Sequence, residues 1–318
     1  MDCVKLVFLM LYTFLCQLAL SSSLPHLCPE DQALALLQFK NMFTINPNDY
    51  CYDTISGIDI QSYPRTVFWN KSTDCCSWDG IHCDETTRQV IELDLRCSQL
   101  QGKFHSNSSL FQLSNLKRLD LSYNDFTGSL ISPKFGKFSS LRHLDLSHSS
   151  FMGVIPSEIS HLSKLYVLLL DLGSNNLEGT IPQCVVERNE YLSDLDLSNN
   201  RLSGTINTTF SVGNTFRVIN LHGNKLTGKV PRSLINCEYL TLLDLGNNML
   251  NDTFPNWLGY LPDLKILSLR SNKLHGPIKS SGNTNLFMGL EILDQSSNGF
   301  KGEFTRKNFG EFANHEGN

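Results

Sequence analysis

One short pattern recurs along most of the chain and limits the folds open to it. Between residues 90 and 304 a Leu-x-Leu core, or a close variant of it, occurs nine times at steps of 24 to 26 residues. Asn lies five residues after the first core residue in seven of the nine copies. A fixed period of this length is typical of a solenoid, in which each copy forms one structural unit. Copies one to nine have these first core residues: Leu93, Leu119, Leu144, Leu170, Leu195, Ile219, Leu243, Leu267 and Leu293.

Each Leu-x-Leu core predicts a short strand, because residues two apart point to the same side of an extended chain. Stacking of the copies then predicts one long parallel sheet backed by a continuous leucine core. The Asn follows where each strand ends, and its amide can bond the backbone of the neighbouring coil. The sequence therefore predicts an α/β solenoid of nine repeats over residues 90–304, with a parallel β-sheet on its concave face.

The start of the chain is typical of a secretory signal peptide, predicted over residues 1–23. Lys5 precedes an apolar run from residue 6 to residue 20, and three serines follow. A membrane anchor is the alternative, but the run is short for a span, and no comparable apolar run occurs after residue 23. Export into an oxidising compartment makes glycosylation expected at four Asn-x-Ser/Thr sequons: Asn70, Asn107, Asn207 and Asn251.

Residues 24–89 do not repeat and are predicted to cap the first coil, because a solenoid must cover its end layer. Pro29, followed by two acidic residues, predicts the start of a helix. The predicted apolar side of this helix has five residues: Ala33, Leu34, Leu36, Leu37 and Phe39. Eight cysteines lie beyond residue 23, an even number that fits disulfides without fixing their connectivity. Metal ligation by the Cys-Cys-x6-Cys run is the alternative, and the export signal and the lack of a companion His at tight ligand spacing argue against it.

Two places depart from the repeat. In copy four, Leu165 lies five residues before the core instead of three, which predicts a slip in strand register. Two alternatives explain this slip: a bulge that the coil absorbs, or a junction between segments that were once further apart. In copy nine, Gln295 replaces the second core leucine, and the tail at residues 305–318 is polar. The sequence therefore predicts a frayed carboxyl end.

Motifs of catalysis and cofactor binding do not stand out in the sequence. Residues 223–230, GNKLTGKV, approach a phosphate-binding loop but end in Val230, where that motif needs Ser or Thr. The nine His residues are scattered and show no His-Glu-x-x-His spacing. The net charge of −5 argues against a nucleic-acid partner, which needs a basic surface. The sequence therefore predicts no enzyme, no cofactor and no metal site.

The polar positions around each core predict a surface for recognition. The middle position is Asp in seven copies, and strands about 4.8 Å apart align these carboxylates in a column. Asp is common at this position of the repeat, and that preference is enough to explain why it recurs. The flanking positions vary between copies, so the repeat does not require them, and Tyr and Arg are frequent binding anchors. Six of these positions are the predicted binding residues: Arg118, Tyr123, His143, His148, His222 and Arg270.

The repeat LxxLxLxxNxLxGxIP resembles the plant-type leucine-rich repeat. CPEDQALALLQFK and CCSWDGIHC resemble the amino-terminal cap of plant leucine-rich-repeat receptors and inhibitors. This resemblance implies the first two of three expected disulfides: Cys28–Cys75, Cys76–Cys83 and Cys51–Cys97. Cys184 and Cys237 occupy different places in their repeats and are expected to be unpaired.

Longer stretches, such as LFQLSNLKRLDLS and TGKVPRSLINCEYLTLLDLGNN, closely resemble the tomato Cladosporium-resistance (Cf-type) receptor-like proteins. The resemblance implies an extracellular defence protein that binds a protein or peptide ligand of pathogen origin and signals through a membrane receptor kinase. That family carries more repeats and a membrane helix, so we interpret this chain as a shortened homologue, secreted to the plant apoplast or cell surface. The larger number of repeats in that family also favours a junction between once-distant segments as the explanation of the slip in copy four. The alternatives are a secreted inhibitor of microbial wall-degrading enzymes, such as polygalacturonases, and a non-functional truncated homologue.

Overall fold

The computed structural model describes residues 27–47, 51–53, 58–60, 62–162, 168–187, 191–206, 209–278 and 286–301. Its main element is a ten-stranded sheet, here called the concave sheet, in which strands of successive copies lie side by side. One strand comes from the cap and nine come from copies one to nine: Ile81–Cys83, Val90–Asp94, Arg118–Asp120, His143–Asp145, Leu168–Asp171, Leu192–Asp196, Val218–Asn220, Leu242–Asp244, Ile266–Ser268 and Ile292–Asp294. The copies pair in parallel, and the cap strand pairs antiparallel to copy one. The predicted α/β solenoid is confirmed.

The core leucines of successive copies form one continuous apolar layer behind the concave sheet. Leu119, Leu121, Leu144 and Leu146 are 0% exposed, and the same burial recurs along the solenoid. Burying one leucine contributes roughly 2 kcal/mol. A single copy cannot cover its own leucines, so the neighbouring coils stabilise each other.

The Asn after each strand joins neighbouring coils. Asn175 is 7% exposed, and its Oδ1 accepts hydrogen bonds from the backbone N–H groups of Ser149 and Phe151 in copy three. Its Nδ2 donates to three carbonyl oxygens, those of Leu146, Leu172 and Gly173. The Asn residues of copies two and five to nine make corresponding bonds. The Asn ladder thus satisfies backbone groups that the turn would otherwise bury unpaired.

A second parallel sheet, here called the outer sheet, follows the Asn ladder and was not predicted from the sequence. Its five strands are Met152–Val154, Asn176–Gly179, Arg201–Thr205, Lys225–Gly228 and Met249–Leu250. The strands His275–Pro277 and Gly299–Lys301 pair in the same parallel way in copies eight and nine. The signal was the apolar residue two positions after each Asn, which is buried and follows an exposed residue in strands such as Asn176–Gly179 and Arg201–Thr205.

Short helical segments close the far side of most coils. Those of the repeats are Ser109–Gln112, Pro133–Lys137, Ser157–Leu162, Gln183–Glu187, Arg232–Asn236 and Asn256–Tyr260. The segments of copies two and three pack so closely that a Cβ on Gly136 would overlap the main-chain carbonyl of Glu158. Only glycine fits at that contact.

The cap helix runs Glu30–Lys40, beginning one residue after Pro29. Its buried residues lie on one stripe spaced three and four apart: Gln32, Ala35, Leu36 and Phe39. Leu34 is 37% exposed, so its predicted place on the apolar side was wrong. Helical spacing turns it away from the stripe, and Gln32 takes the inner place because its Oε1 accepts a hydrogen bond from the N–H of Val90.

Three disulfides tie the cap together: Cys28–Cys75, Cys51–Cys97 and Cys76–Cys83. They are the three expected pairs. The Cys51–Cys97 bond joins copy one to a hairpin of Cys51–Asp53 with Ile58–Ile60. Elsewhere in the cap, Thr44–Ile45 pairs antiparallel with Leu100–Gln101, Cys75–Ser77 forms a 3-10 turn, and the rings of Trp69 and Trp78 stack with centroids 5.4 Å apart.

Copy four keeps its place in the concave sheet. Leu169 to Asp171 align with His143 to Asp145 of copy three, and the register with copy five shifts between Leu168 and Leu169. Leu170 and Leu172 are buried like the core leucines of the other copies. Leu165, where the sequence shows the slip, lies outside the described residues. Within the ranges given above, no helix has the length and apolar character to span a membrane. The predicted signal peptide, the sequon at Asn207 and the tail at 305–318 lie outside the described residues.

Candidate functional site

Four columns of side chains run across the open face of the concave sheet. In copy two they are occupied by Arg118, Asp120, Ser122 and Tyr123, and the other copies place equivalent residues beside them. The first column lies just before the first core leucine, and the second lies between the two core leucines. The third column follows the second core leucine, and the fourth precedes the Asn. Because neighbouring strands are about 4.8 Å apart, residues 24 to 26 apart in sequence become neighbours within a column.

The structure divides the six predicted binding residues into separate groups. Arg118 and His143 are register neighbours in the first column, and Tyr123 and His148 are stacked in the fourth. His222 and Arg270 lie in the third column in copies six and eight. All six lie in the four columns, and their contact with a ligand stays a prediction.

Tyr123 and His148 form a stack in an unusual backbone conformation. Their ring centroids are 4.3 Å apart at an interplanar angle of 10°, and the Arg96 guanidinium lies 5.0 Å from the Tyr123 centroid. Their φ angles are 54° and 50°, in the left-handed region that bulky residues avoid. Every copy has a positive φ at this position, filled elsewhere mostly by small or polar residues: Cys97, Ser174, Asn199, Gly223, Asn247, Ser271 and Ser297. Arg96 was not among the predicted binding residues, although it also occupies a variable position of the third column.

The aspartates of the second column are more buried than the sequence suggested. Asp120 is 1% exposed; its Oδ1 accepts hydrogen bonds from the N–H and Oγ–H of Ser122, and its Oδ2 accepts one from Arg118 at 2.9 Å. Burial, and then the nearby Asp145 carboxylate, raises the pKa of Asp120. Burial likewise raises the pKa of Asp145. Solvent therefore screens these like charges less than it would on an open surface.

Asp171 is the least compensated member of this column. Burial, together with the carboxylates of Asp145 and Asp196, raises the pKa of Asp171 to about 8. Its hydrogen bond among the described residues comes from the N–H of Gly173 at 2.8 Å. Copies two and three have Ser in place of this glycine, and the serine hydroxyl donates a second bond to the carboxylate. Copy four thus keeps a partly buried carboxyl group with fewer donors than its neighbours.

Two groups of side chains within the described ranges have the spacing of metal ligands. Cys28, Asp74, Cys75 and Cys76 form one group, but their cysteines are in disulfides and present no thiolate. The second group is an imidazole and two carboxylates, with ligand atoms within 4.8 Å of one another: Asp120, His143 and Asp145. Burial, and then the positive charge of Arg118, lowers the pKa of His143.

The carboxyl-terminal half of the concave sheet is more apolar. The first column of copies six to nine carries aliphatic residues in register: Val218, Leu242, Ile266 and Ile292. Beside them, His222 Nδ1 lies 3.3 Å from Asp244, and Arg270 lies 3.6 Å from Asp294. Sequence reasoning missed the aliphatic residues because they look like additional core positions, although the structure leaves them partly exposed.

The remaining predicted positions lie outside the four columns. Asn70 is in a turn of the cap, Asn107 is in the turn before Ser109–Gln112, and Asn251 follows an outer-sheet strand; all three are exposed. Cys184 is half-buried and Cys237 is buried, and neither is in a disulfide. Burial raises the pKa of the Cys237 thiol to about 12, which fits a small core residue.

Comparison with known families matches both parts of the fold. The family described as Leucine rich repeat N-terminal domain matches residues 29–51 and 64–84. The Leucine Rich Repeat family matches five segments: 115–138, 140–162, 191–212, 215–237 and 239–261.

Receptor-like protein Cf-9 of Solanum pimpinellifolium is 69% identical over 239 residues, which are 74% of this chain and 28% of that protein. The chain thus spans just over a quarter of the length of this curated relative. Among solved structures, the ectodomain of the Arabidopsis thaliana receptor kinase GASSHO1/SCHENGEN3, in complex with CASPARIAN STRIP INTEGRITY FACTOR 2, has a TM-score of 0.68 at 30% identity, over 86% of this chain and 30% of that one. The Arabidopsis receptor kinase HAESA, in complex with the peptide hormone IDA and the co-receptor SERK1, has a TM-score of 0.51 at 28% identity, over 85% of this chain and 50% of that one. The chain therefore belongs to the plant leucine-rich-repeat receptor family and is a homologue of the receptor-like protein Cf-9.

Proposed function

We propose that the protein is an extracellular recognition protein of plant defence that binds a protein or peptide ligand on its concave sheet. The observation that carries this proposal is the Arg96–Tyr123–His148 stack. A bulky side chain in the left-handed region costs of order 1–3 kcal/mol. The repeat itself does not need these side chains, since other copies place Ser, Asn or Gly there. Such local strain is characteristic of binding sites.

The class of ligand is inferred from the relatives. The GASSHO1/SCHENGEN3 ectodomain is in complex with CASPARIAN STRIP INTEGRITY FACTOR 2, and HAESA is in complex with the peptide hormone IDA. A pathogen origin for the ligand rests on the resemblance to the Cladosporium-resistance proteins. By analogy with the HAESA complex, which includes a co-receptor, a membrane receptor kinase is the proposed signalling partner, and the proposed location is the plant apoplast or cell surface.

Binding to proteins secreted by Cladosporium tests this function. Immobilised wild-type protein is expected to retain a saturable component of the culture filtrate, and the double variant Tyr123→Ala/His148→Ala is expected to lose it. The matched control is Met152→Ala/Val154→Ala, which removes exposed side chains from the outer sheet and is expected to bind as the wild type does. Equal retention by all three proteins would contradict a concave binding site.

A secreted inhibitor of polygalacturonase is the second candidate, favoured by a cap that also resembles the caps of plant inhibitors. Stoichiometric inhibition of a fungal polygalacturonase by the purified protein would support this candidate over the first. Comparison of Tyr123→Ala/His148→Ala with the control Met152→Ala/Val154→Ala then shows whether the concave sheet is responsible for the inhibition.

A further inference from the structure

The concave sheet brings one imidazole and two carboxylates together in copies two and three. His143 and Asp145 are two residues apart on one strand, so both side chains point to the same face. Asp120 is the register partner of Asp145 on the neighbouring strand. Ligand atoms of the three side chains lie within 4.8 Å of one another. The sheet itself fixes this arrangement, because two of its short strands supply all three residues.

The imidazole of His143 carries an unsatisfied polar atom. Its Nε2 is buried and has no hydrogen-bond partner among the described residues. A buried polar atom without a partner costs about 1–3 kcal/mol. An ion bound at this nitrogen would remove that cost.

The charge around the site is also incompletely balanced. Asp94, Asp120, Asp145 and Asp171 follow one another in the second column, on four neighbouring strands. Arg118 pairs with Asp120 at 2.9 Å, and its side chain is 36% exposed and can turn towards solvent. Arg65 lies 3.9 Å from Asp94, and the charge of Arg96 also acts on Asp145. A divalent cation at Asp120 and Asp145 would reduce the repulsion between them more effectively than these monovalent guanidinium groups.

We propose that Asp120, His143 and Asp145 bind a divalent first-row transition-metal ion, with Zn²⁺ as the expected species. One imidazole nitrogen and two carboxylate oxygens suit Zn²⁺, whereas Ca²⁺ and Mg²⁺ prefer oxygen ligands alone. Bonds of about 2.0–2.2 Å place tetrahedral ligands roughly 3.3 Å apart, so the ligand atoms, which lie within 4.8 Å of one another, must move closer together to hold the ion. Three protein ligands would leave the fourth tetrahedral position for water or a ligand side chain. This inference goes beyond the proposed recognition function and does not depend on it.

Calorimetric titration of the full, disulfide-bonded chain with Zn²⁺ tests the site. The wild type is expected to bind one tight equivalent. His143→Ala is expected to weaken that binding at least about 10-fold, the lower end of what is lost when a group that only hydrogen-bonds a metal ligand is removed. Asp145→Asn, which preserves shape, is expected to have the same effect. Asp120 is left unchanged because its side chain is buried and hydrogen-bonded.

Three comparisons make the result decisive. His82→Ala is the matched control, because His82 faces Glu92 in register on the same sheet but belongs to no three-ligand group among the described residues; Zn²⁺ affinity is expected to be unchanged. Arg118→Gln is expected to tighten Zn²⁺ binding by removing a competing cation. Ca²⁺ and Mg²⁺ are expected to bind weakly and without regard to His143. Absence of a tight equivalent, or equal affinity in the wild type and His143→Ala, would overturn the site.

Discussion

At the scale of single residues, the Asn after each strand is the best-defined contributor to stability. Its amide combines five hydrogen bonds in copy four, all to backbone groups and most of them in buried surroundings. No apolar residue can replace this function, because the backbone groups would remain buried without partners.

We expect Asn175→Ala to lower the free energy of unfolding by about 3 kcal/mol or more, since several backbone groups lose their partners. The matched control is Asn176→Ala, one residue later and exposed on the outer sheet, which should change stability by less than about 0.5 kcal/mol. Urea unfolding followed by circular dichroism measures both. Similar losses in the two variants would show that the ladder does not stabilise the coil.

Asp171 makes stability depend on pH. Its pKa in the folded protein, about 8, lies above the value for an unfolded chain, so folding favours the protonated form. The stabilising contribution is complete below about pH 4 and is lost as the pH rises towards 8. Asp145, Asp196 and Asp120 supply the negative charge that opposes its ionisation.

Asp171→Asn removes this titration while preserving shape. We expect the variant to gain at least about 1 kcal/mol relative to the wild type between pH 5 and pH 8, measured by urea unfolding in buffer containing a chelator. Asp263→Asn is the control, because Asp263 is exposed. An Asp171→Asn stability difference that does not change with pH would be the contrary result.

At the scale of elements, the solenoid depends on close approach between the short helical segments of neighbouring copies. Pro133–Lys137 and Ser157–Leu162 meet where Gly136 lies against the main chain of Glu158. Main chain cannot move away as a flexible side chain can, so added volume must separate the two coils.

Gly136→Ala is therefore expected to cost more than about 2 kcal/mol through overpacking. Gly128→Ala provides the comparison: Gly128 has a φ of +79°, and a Cβ there would meet no atom within 4 Å. It should cost only about 1–2 kcal/mol, the penalty of the left-handed conformation. Thermal unfolding of both variants measures the difference, and a smaller loss for Gly136→Ala would contradict the close packing.

At the scale of the whole molecule, the two ends of the described solenoid differ in packing. The cap covers copy one with a helix, an antiparallel strand and three disulfides. In copy nine Leu293 and Gln295 are only half-buried and Ile292 is 54% exposed. In a linear array each coil is stabilised mainly by its neighbours, so stability should fall along the chain.

Hydrogen exchange measured by mass spectrometry is expected to show this gradient. Amides of Ile292–Asp294 should exchange faster than those of Leu242–Asp244, and both faster than those of Arg118–Asp120. Reduction of the disulfides should raise exchange first in copies one and two, next to the cap. Uniform protection along the sheet would show that the array unfolds as a single cooperative unit.

Most of the architecture was predictable because it follows from the local periodicity of the sequence. Leu119 and Leu121, two apart and repeated every 24 to 26 residues, specify both the strand and its place in the stack. Copy four was harder to predict, since a bulge and a junction would leave the same mark in the sequence, a leucine five residues before the core instead of three. The outer sheet was missed because its strands contain Gly and few β-branched residues, so only the stacking of coils stabilises them.

The candidate site was predictable in position and not in detail. By itself the sequence determined a coil of repeating strands and the columns in which variable residues must lie, because spacing along the chain fixes both. The tertiary structure decided that Tyr123 stacks with His148, that His143 lies near two carboxylates, and that Asp120 is buried and Asp171 partly buried. These outcomes depend on how deeply neighbouring coils bury each side chain and which atoms then meet, and one copy of the repeat contains no information about either.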